Sequence, residues 1–140
     1  YWVFAHNGNL VDFEPESAGF YQAVGQTDSE KAFCLILETL RQNFPKAKPP
    51  LEKLYPVLRD ITATLAEKGV FNYLLSDGEH FFAHCSTKLS YIVRQAPFAA
   101  AHLIDQDITV DFRELTTESD RVAIIATTPL TDNEVWTPIK

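Results

Sequence analysis

Two short segments carry the side chains best suited to chemistry. The first is His6-Asn7-Gly8-Asn9, set between the apolar stretch Trp2-Val3-Phe4-Ala5 and Leu10. Asn-Gly between apolar residues is a strong local signal for a tight hairpin turn, and local pattern alone reads it so. A chemical reading is compatible with that turn. Gly8 has no Cβ, so a substrate can lie against its backbone N–H. The neighbouring Asn7 amide supplies a second donor. Two fixed donors aimed at one point can stabilise the oxyanion of an acyl-transfer intermediate. The second segment is Gly25-Gln26-Thr27-Asp28-Ser29-Glu30. Its local reading is a helix N-cap, with Thr27 or Asp28 satisfying free N–H groups. Its chemical reading makes Asp28 the anion that holds a substrate ammonium group.

Other candidates are weaker. His80, His84 and Cys85 include zinc-ligand types, and His80 and His84 share parity on an expected strand. Their spacing fits no usual closed zinc site. Cys85 with His84 as nucleophile and base is equally disfavoured, because neighbours on a strand point to opposite faces. The acidic residues Asp105, Asp107, Asp111, Glu114, Glu118 and Asp120 read as a solvated surface, and no EF-hand pattern is present. No metal and no cofactor is expected.

These residues need elements to position them. Residues 1–5 are rich in aromatic and β-branched types and predict a short strand. Residues 10–26 read as loop, punctuated by Gly19 and Gly25. A helix is predicted from about Asp28, since Thr27 and Glu30 have capping-box spacing. Phe33, Ile36, Leu37 and Leu40 fall on one face of it, and Pro45 limits it. A second helix is expected over about 51–68, with Leu54, Leu58, Ile61 and Leu65 as its apolar stripe. Pro56 lies within that stripe, so this helix either starts near Tyr55 or kinks at Pro56. Gly69 is a natural stop. Strands follow at 70–76 and 80–85, joined by an Asp77-Gly78 turn, then at 89–94, 108–112 and 121–126. Helices followed by antiparallel strands predict an α+β domain. No composition break divides residues 1–140, which read as one domain.

Bulk properties narrow the function. The chain has 140 residues and a formal net charge of −7, which argues against nucleic acid and against anionic lipid as partners. No apolar run approaches the ~20 residues of a membrane span. With only two cysteines, Cys34 and Cys85, there is no disulfide framework. Free thiols suit a reducing compartment, so an intracellular, cytoplasmic protein is predicted. The chain opens directly on Tyr1-Trp2-Val3-Phe4-Ala5, without a signal-peptide pattern, and reads as a domain whose beginning lies upstream.

Order is more informative than any single motif. Trp2-Val3-Phe4-Ala5-His6-Asn7-Gly8-Asn9-Leu10, then Gly25-Gln26-Thr27-Asp28-Ser29-Glu30, then Phe71-Asn72-Tyr73-Leu74-Leu75-Ser76-Asp77-Gly78 closely resembles class-II glutamine amidotransferases. The tail Arg121-Val122-Ala123-Ile124-Ile125-Ala126-Thr127-Thr128-Pro129-Leu130-Thr131 resembles a compact, stand-alone branch of that family. The resemblance covers essentially the whole chain. It implies part of an αββα four-layer sandwich of the N-terminal nucleophile hydrolase type. It implies a cysteine at the mature N-terminus that attacks the glutamine side-chain amide, forms a glutamyl thioester and releases ammonia. By the same resemblance Asn7 (side-chain amide) and Gly8 (backbone N–H) form the oxyanion hole. Gly8 also packs against the bound glutamine, and Asp28 binds its α-amino group.

One departure is plain. Tyr1 is not a cysteine, and neither Cys34 nor Cys85 stands in the nucleophile's place. The arginine that pairs with the substrate carboxylate in the family also has no match. Three readings stay open. The chain is the downstream part of an active amidotransferase whose nucleophile lies on an upstream segment of the same domain. Alternatively it is a non-catalytic domain of that fold, or a hydrolase of γ-glutamyl compounds other than glutamine. Alone, the chain is expected to be inactive.

Overall fold

The computed structural model describes residues 1–16 and 19–139. The chain forms two compact units, Tyr1–Thr87 and Lys88–Lys140. Both mix or pair antiparallel strands, and the helices lie in the first, so the architecture is α+β.

The first unit is built on an antiparallel sheet of three strands in the order β1 (Val3–Leu10), β2 (Gly69–Ser76), β3 (Phe81–His84). Helices α1 (Asp28–Asn43) and α2 (Leu51–Ala66) pack on each other, α1 against β1 and α2 against β2. Strand alternation assigns the faces. Phe71, Tyr73 and Leu75 of β2 are buried with Ala32, Ile36 and Leu40 of α1 and Leu54, Leu58 and Leu65 of α2. Phe4 joins them from β1, its ring 5.2 Å from Phe33 and 5.7 Å from Tyr73. The Tyr73 hydroxyl shares a 2.7 Å hydrogen bond with Thr62 Oγ1, which satisfies both polar groups inside the core.

The expected Asn7-Gly8 turn is not formed. β1 runs through both residues, with Asn7 opposite Asn72 and Gly8 opposite Phe71. An Asn-Gly hairpin needs positive φ at its central residues. Among the described residues positive φ occurs at Asp12, Gly69, Gly78 and Asp107, not at Asn7 or Gly8. Long-range pairing with β2 therefore overrides the local turn preference, and the chain leaves the strand beyond Leu10. The loop expected over 10–26 is irregular where described, with residues 17 and 18 outside the described residues.

The first helix begins as its sequence predicts. Thr27 is the N-cap, and its Oγ1 accepts from the Glu30 N–H at 3.2 Å. The return half of the capping box is absent, because the Glu30 carboxylate instead accepts from the Val24 and Gly25 amides at 2.8 Å each. The second helix starts at Leu51 and carries Pro56 in its interior. Pro56 removes one intrahelical donor, while the buried Leu54 and Leu58 on either side hold both segments against the core. Gly69 does not merely end a helix. It opens β2 with φ +152°, and a Cβ there would stand 2.1 Å from the Asn9 carbonyl oxygen.

In the second unit, β4 (Ser90–Gln95) lies between β7 (Arg121–Ala126) and β8 (Thr137–Pro138), all antiparallel. β5 (Ala100–Leu103) and β6 (Ile108–Asp111) form a separate hairpin, followed by a 3-10 turn at Phe112–Glu114. Strands β5 and β8 were not expected from the sequence. Inside this unit Arg94 Nε donates to Glu134 Oε1 at 2.8 Å, and its guanidinium lies 4.5 Å from the centre of the Phe112 ring. Glu134 also accepts from the buried Thr131 hydroxyl at 2.7 Å, and Trp136 donates to Thr131 at 2.9 Å.

Candidate active site at the open edge of the first sheet

β1 is an edge strand of its sheet, so every second backbone N–H points away from β2. The Leu10 N–H is one of these. It donates to Asp28 Oδ2 at 2.8 Å. The Gly8 N–H has the same parity and points off the same edge. The partner strand agrees, because the Phe71 N–H opposite Gly8 turns the other way, to Ser86 Oγ at 3.1 Å. Gly8 and Phe71 therefore do not exchange ladder bonds. The structure thus brings Gly8 and Asp28 to one strand edge, about 7 Å apart along it by strand rise.

Asp28 is the first residue of α1, where the helix dipole favours an anion. Its Oδ1 accepts from its neighbour's backbone, Ser29 N–H, at 2.7 Å, and lies 3.3 Å from the Ser29 hydroxyl. Burial pushes its carboxyl up, but the Leu10 and Ser29 N–H donors, nearby His6 and the Ser29 hydroxyl together hold it below the usual carboxylate value. A carboxylate offers about four lone-pair directions, so Asp28 keeps acceptor capacity for a further donor.

Asn7 projects from the face opposite the helices and is exposed. Its backbone carbonyl is pinned by Asn72, whose Nδ2 donates to it at 3.1 Å and to Thr87 Oγ1 at 2.9 Å. Asn72 is only 4% exposed, and its Oδ1 accepts from the Ser86 and Thr87 amides at 2.9 and 3.0 Å. One buried amide thus fixes β1 at Asn7 and the chain after β3. On the helix side, His6 Nδ1 lies 2.8 Å from Ser29 Oγ and His6 Nε2 lies 3.2 Å from the Val70 carbonyl oxygen. Its ring packs 5.0 Å from Phe71. His6, Ser29 and Asn72 stood inside the quoted motifs without an assigned role. For His6 the signal was strand parity: it alternates with Phe4 and must face the helices.

The weaker candidates lie elsewhere. His80 is not on a strand. It sits in the β2–β3 turn, where its N–H donates to Asp77 Oδ1 at 2.7 Å and its Nδ1 lies 3.2 Å from Asp77 Oδ2. The shared strand face expected for His80 and His84 is therefore not formed, because the Asp77 side chain captures His80 in the turn. His84 packs 5.7 Å from the Tyr73 ring, and burial lowers its proton affinity. Cys34 and Cys85 are both free thiols. Burial, then the Glu30 charge, pushes the Cys34 thiol up, which disfavours the nucleophilic thiolate. In the acidic segment, Asp111 pairs with Arg113, and Asp107 lies 3.1 Å from His102 Nε2. Among the described residues no group of three or more His, Cys, Asp or Glu side chains is arranged to hold a metal, and no helix is long and apolar enough to cross a membrane.

Comparison with known proteins gives the family of the chain. The family profile of glutamine amidotransferases class-II matches residues 1–140, and the chain belongs to that family. It is 46% identical over 138 residues to "Putative glutamine amidotransferase YafJ" of Escherichia coli (strain K12), covering 99% of this chain and 54% of that protein. It is 47% identical over 139 residues to "Putative glutamine amidotransferase" of Haemophilus influenzae, covering 99% of this chain and 47% of that protein. The chain thus spans about half the length of these curated relatives. Among solved structures it matches the crystal structure of a "predicted glutamine amidotransferase" from Pseudomonas aeruginosa PA01 with a TM-score of 0.88 and 55% identity, covering 99% of this chain and 54% of that one.

Proposed function

We propose that this chain supplies the oxyanion-stabilising and ammonium-binding side of a glutaminase site, the cysteine nucleophile lying on an upstream segment of the same domain. The domain is then part of an αββα sandwich of the N-terminal nucleophile hydrolase type. In this reading the cysteine attacks the side-chain amide carbon of glutamine. The developing oxyanion is met by the Gly8 N–H and the Asn7 amide. Collapse expels ammonia and leaves a glutamyl thioester, which water hydrolyses. Asp28 holds the substrate α-ammonium, which sets the distance from the ammonium to the reacting amide. The free thiols support a cytoplasmic setting.

The observation that carries this reading is the Leu10–Asp28 hydrogen bond. It fixes an anion two residues along the edge from an N–H outside the ladder. That spacing suits the two ends of an extended glutamine or γ-glutamyl group. Cys34 and Cys85 lie outside this edge arrangement, which supports a nucleophile contributed from upstream.

Steady-state ammonia release from glutamine by the full-length protein tests it. Asn7→Ala is expected to lower kcat by ~10²–10³, the usual effect of losing an oxyanion donor. Asp28→Asn is expected chiefly to raise KM for glutamine. A kcat loss below about threefold in the first variant, or an unchanged KM in the second, would overturn the corresponding role.

A further inference from the structure

The His6–Ser29–Asp28 cluster contains a conflict over one proton. Ser29 Oγ lies 2.8 Å from His6 Nδ1 and 3.3 Å from Asp28 Oδ1. A serine hydroxyl has a single proton to donate. At the other side of the ring, His6 Nε2 faces the Val70 carbonyl oxygen at 3.2 Å. A carbonyl only accepts, so Nε2 carries a proton in either charge state of the ring.

Two arrangements follow. In the neutral ring Nδ1 is a bare acceptor, and the Ser29 hydroxyl donates to it. Asp28 Oδ1 then keeps only the Ser29 backbone N–H. When the ring takes a proton from solvent, that proton sits on Nδ1 and donates to Ser29 Oγ. The Ser29 hydroxyl proton is released from the ring and turns to Asp28 Oδ1. Asp28 thereby gains a donor on an oxygen that would otherwise face substrate, and a cation stands one residue behind it.

We propose that His6 and Ser29 are positioning residues for Asp28, and that protonation of His6 redirects the Ser29 hydroxyl onto Asp28 and weakens its hold on a substrate ammonium. This rests on the role assigned to Asp28 above and adds a pH-dependent control to it. Few other charges face the ring. From α1 the titratable neighbour is Asp28 itself, since Glu30 is engaged by the Val24 and Gly25 amides and Lys31 by Glu14. From β2 it is Tyr73, opposite His6 in register, whose hydroxyl is bonded to Thr62.

The test uses the full-length protein with glutamine, following kcat and KM separately from pH ~5 to 8. KM is expected to rise about 2- to 10-fold as pH falls, the effect of one net hydrogen bond. Ser29→Ala should reduce that KM change to the part due to the ring's charge alone, and Ser29→Thr, which keeps the hydroxyl, should restore it. A KM profile in Ser29→Ala that matches the parent, or a parent KM that does not change with pH, overturns the proposal. If no variant or parent releases ammonia at any pH, the functional reading has failed. The relay is then judged by imidazole ¹⁵N NMR of His6 at high pH. Protonated Nε2 with Nδ1 as acceptor supports it, and the opposite tautomer overturns it.

Discussion

A Cβ built at position 8 would stand 1.8 Å from the Val70 carbonyl oxygen and 2.8 Å from His6 Nε2. The first neighbour is backbone of the paired strand and cannot rotate aside. The second is a ring held at both nitrogens. Alanine at this position must therefore push β1 and β2 apart locally. Gly8→Ala is expected to destabilise the full-length protein by about 2–3 kcal/mol, the upper part of the range for overpacking a fitted site. A shift in the urea midpoint at unchanged slope would report it. A midpoint within experimental error of the parent would show that the strands separate freely. The same residue shows what sequence reading could and could not see. The pair Asn7–Gly8 was legible as special because its residue types are special. Its backbone was misread as a turn, because the strand that straightens it begins at Gly69, far along the chain. Asp28 was legible both as a cap-region residue and as an anion. The Leu10 N–H that holds it was not, since no side chain announces an outward backbone donor.

Elements were legible where their signals are local. The first helix begins at Asp28 because Thr27 caps it, and cap and first turn are neighbours in sequence. Thr27→Ala removes an acceptor from the Glu30 N–H and is expected to cost about 1 kcal/mol, with Thr27→Ser nearly neutral. Thermal or urea melts of both variants check it, and equal losses would show that the hydroxyl is not the stabilising group. This helix start also carries Asp28 and Ser29, so, on the role proposed for Asp28, fraying of the first turn should raise KM for glutamine more than it lowers kcat. The second helix was harder to bound. Pro56 is a strong local signal, but burial of Leu54 and Leu58 outweighs one missing hydrogen bond. Strand β8 has two residues and owes its existence to pairing with Ser90 and Tyr91. Nothing in Thr137 and Pro138 themselves specifies a strand.

At the scale of the molecule, carboxylates held in hydrogen bonds link stability to acid. Asp77 is the strongest case. Its side chain is 2% exposed, and it lies 2.9 Å from Lys48 Nζ, which belongs to the segment between the two helices. Burial pushes its carboxyl up, but the His80 and Glu79 amides, Lys48 and the His80 ring bring it far below the usual carboxylate range. Glu134, paired with Arg94, is lowered too, and so is Asp28. A carboxyl whose folded-state value is depressed contributes stability that is fully present above its unfolded value. That contribution is lost as pH falls through the folded value. Unfolded carboxyls titrate near pH ~4, so the protein should hold its melting temperature down to about that pH and lose it progressively below. Lowering pH from 7 relieves self-repulsion in a chain of net charge −7 only as far as its pI of about 5.0, and below that the chain is net positive and growing repulsion adds to the loss. The variant Asp77→Asn separates the two effects, because it keeps the turn's shape and removes one ionisable link. It should melt lower than the parent at pH 7, where the Lys48 pairing is lost, and its melting temperature should fall less steeply below pH ~4. Parallel curves for variant and parent would place the acid sensitivity in other carboxylates and leave Asp77 a neutral structural acceptor.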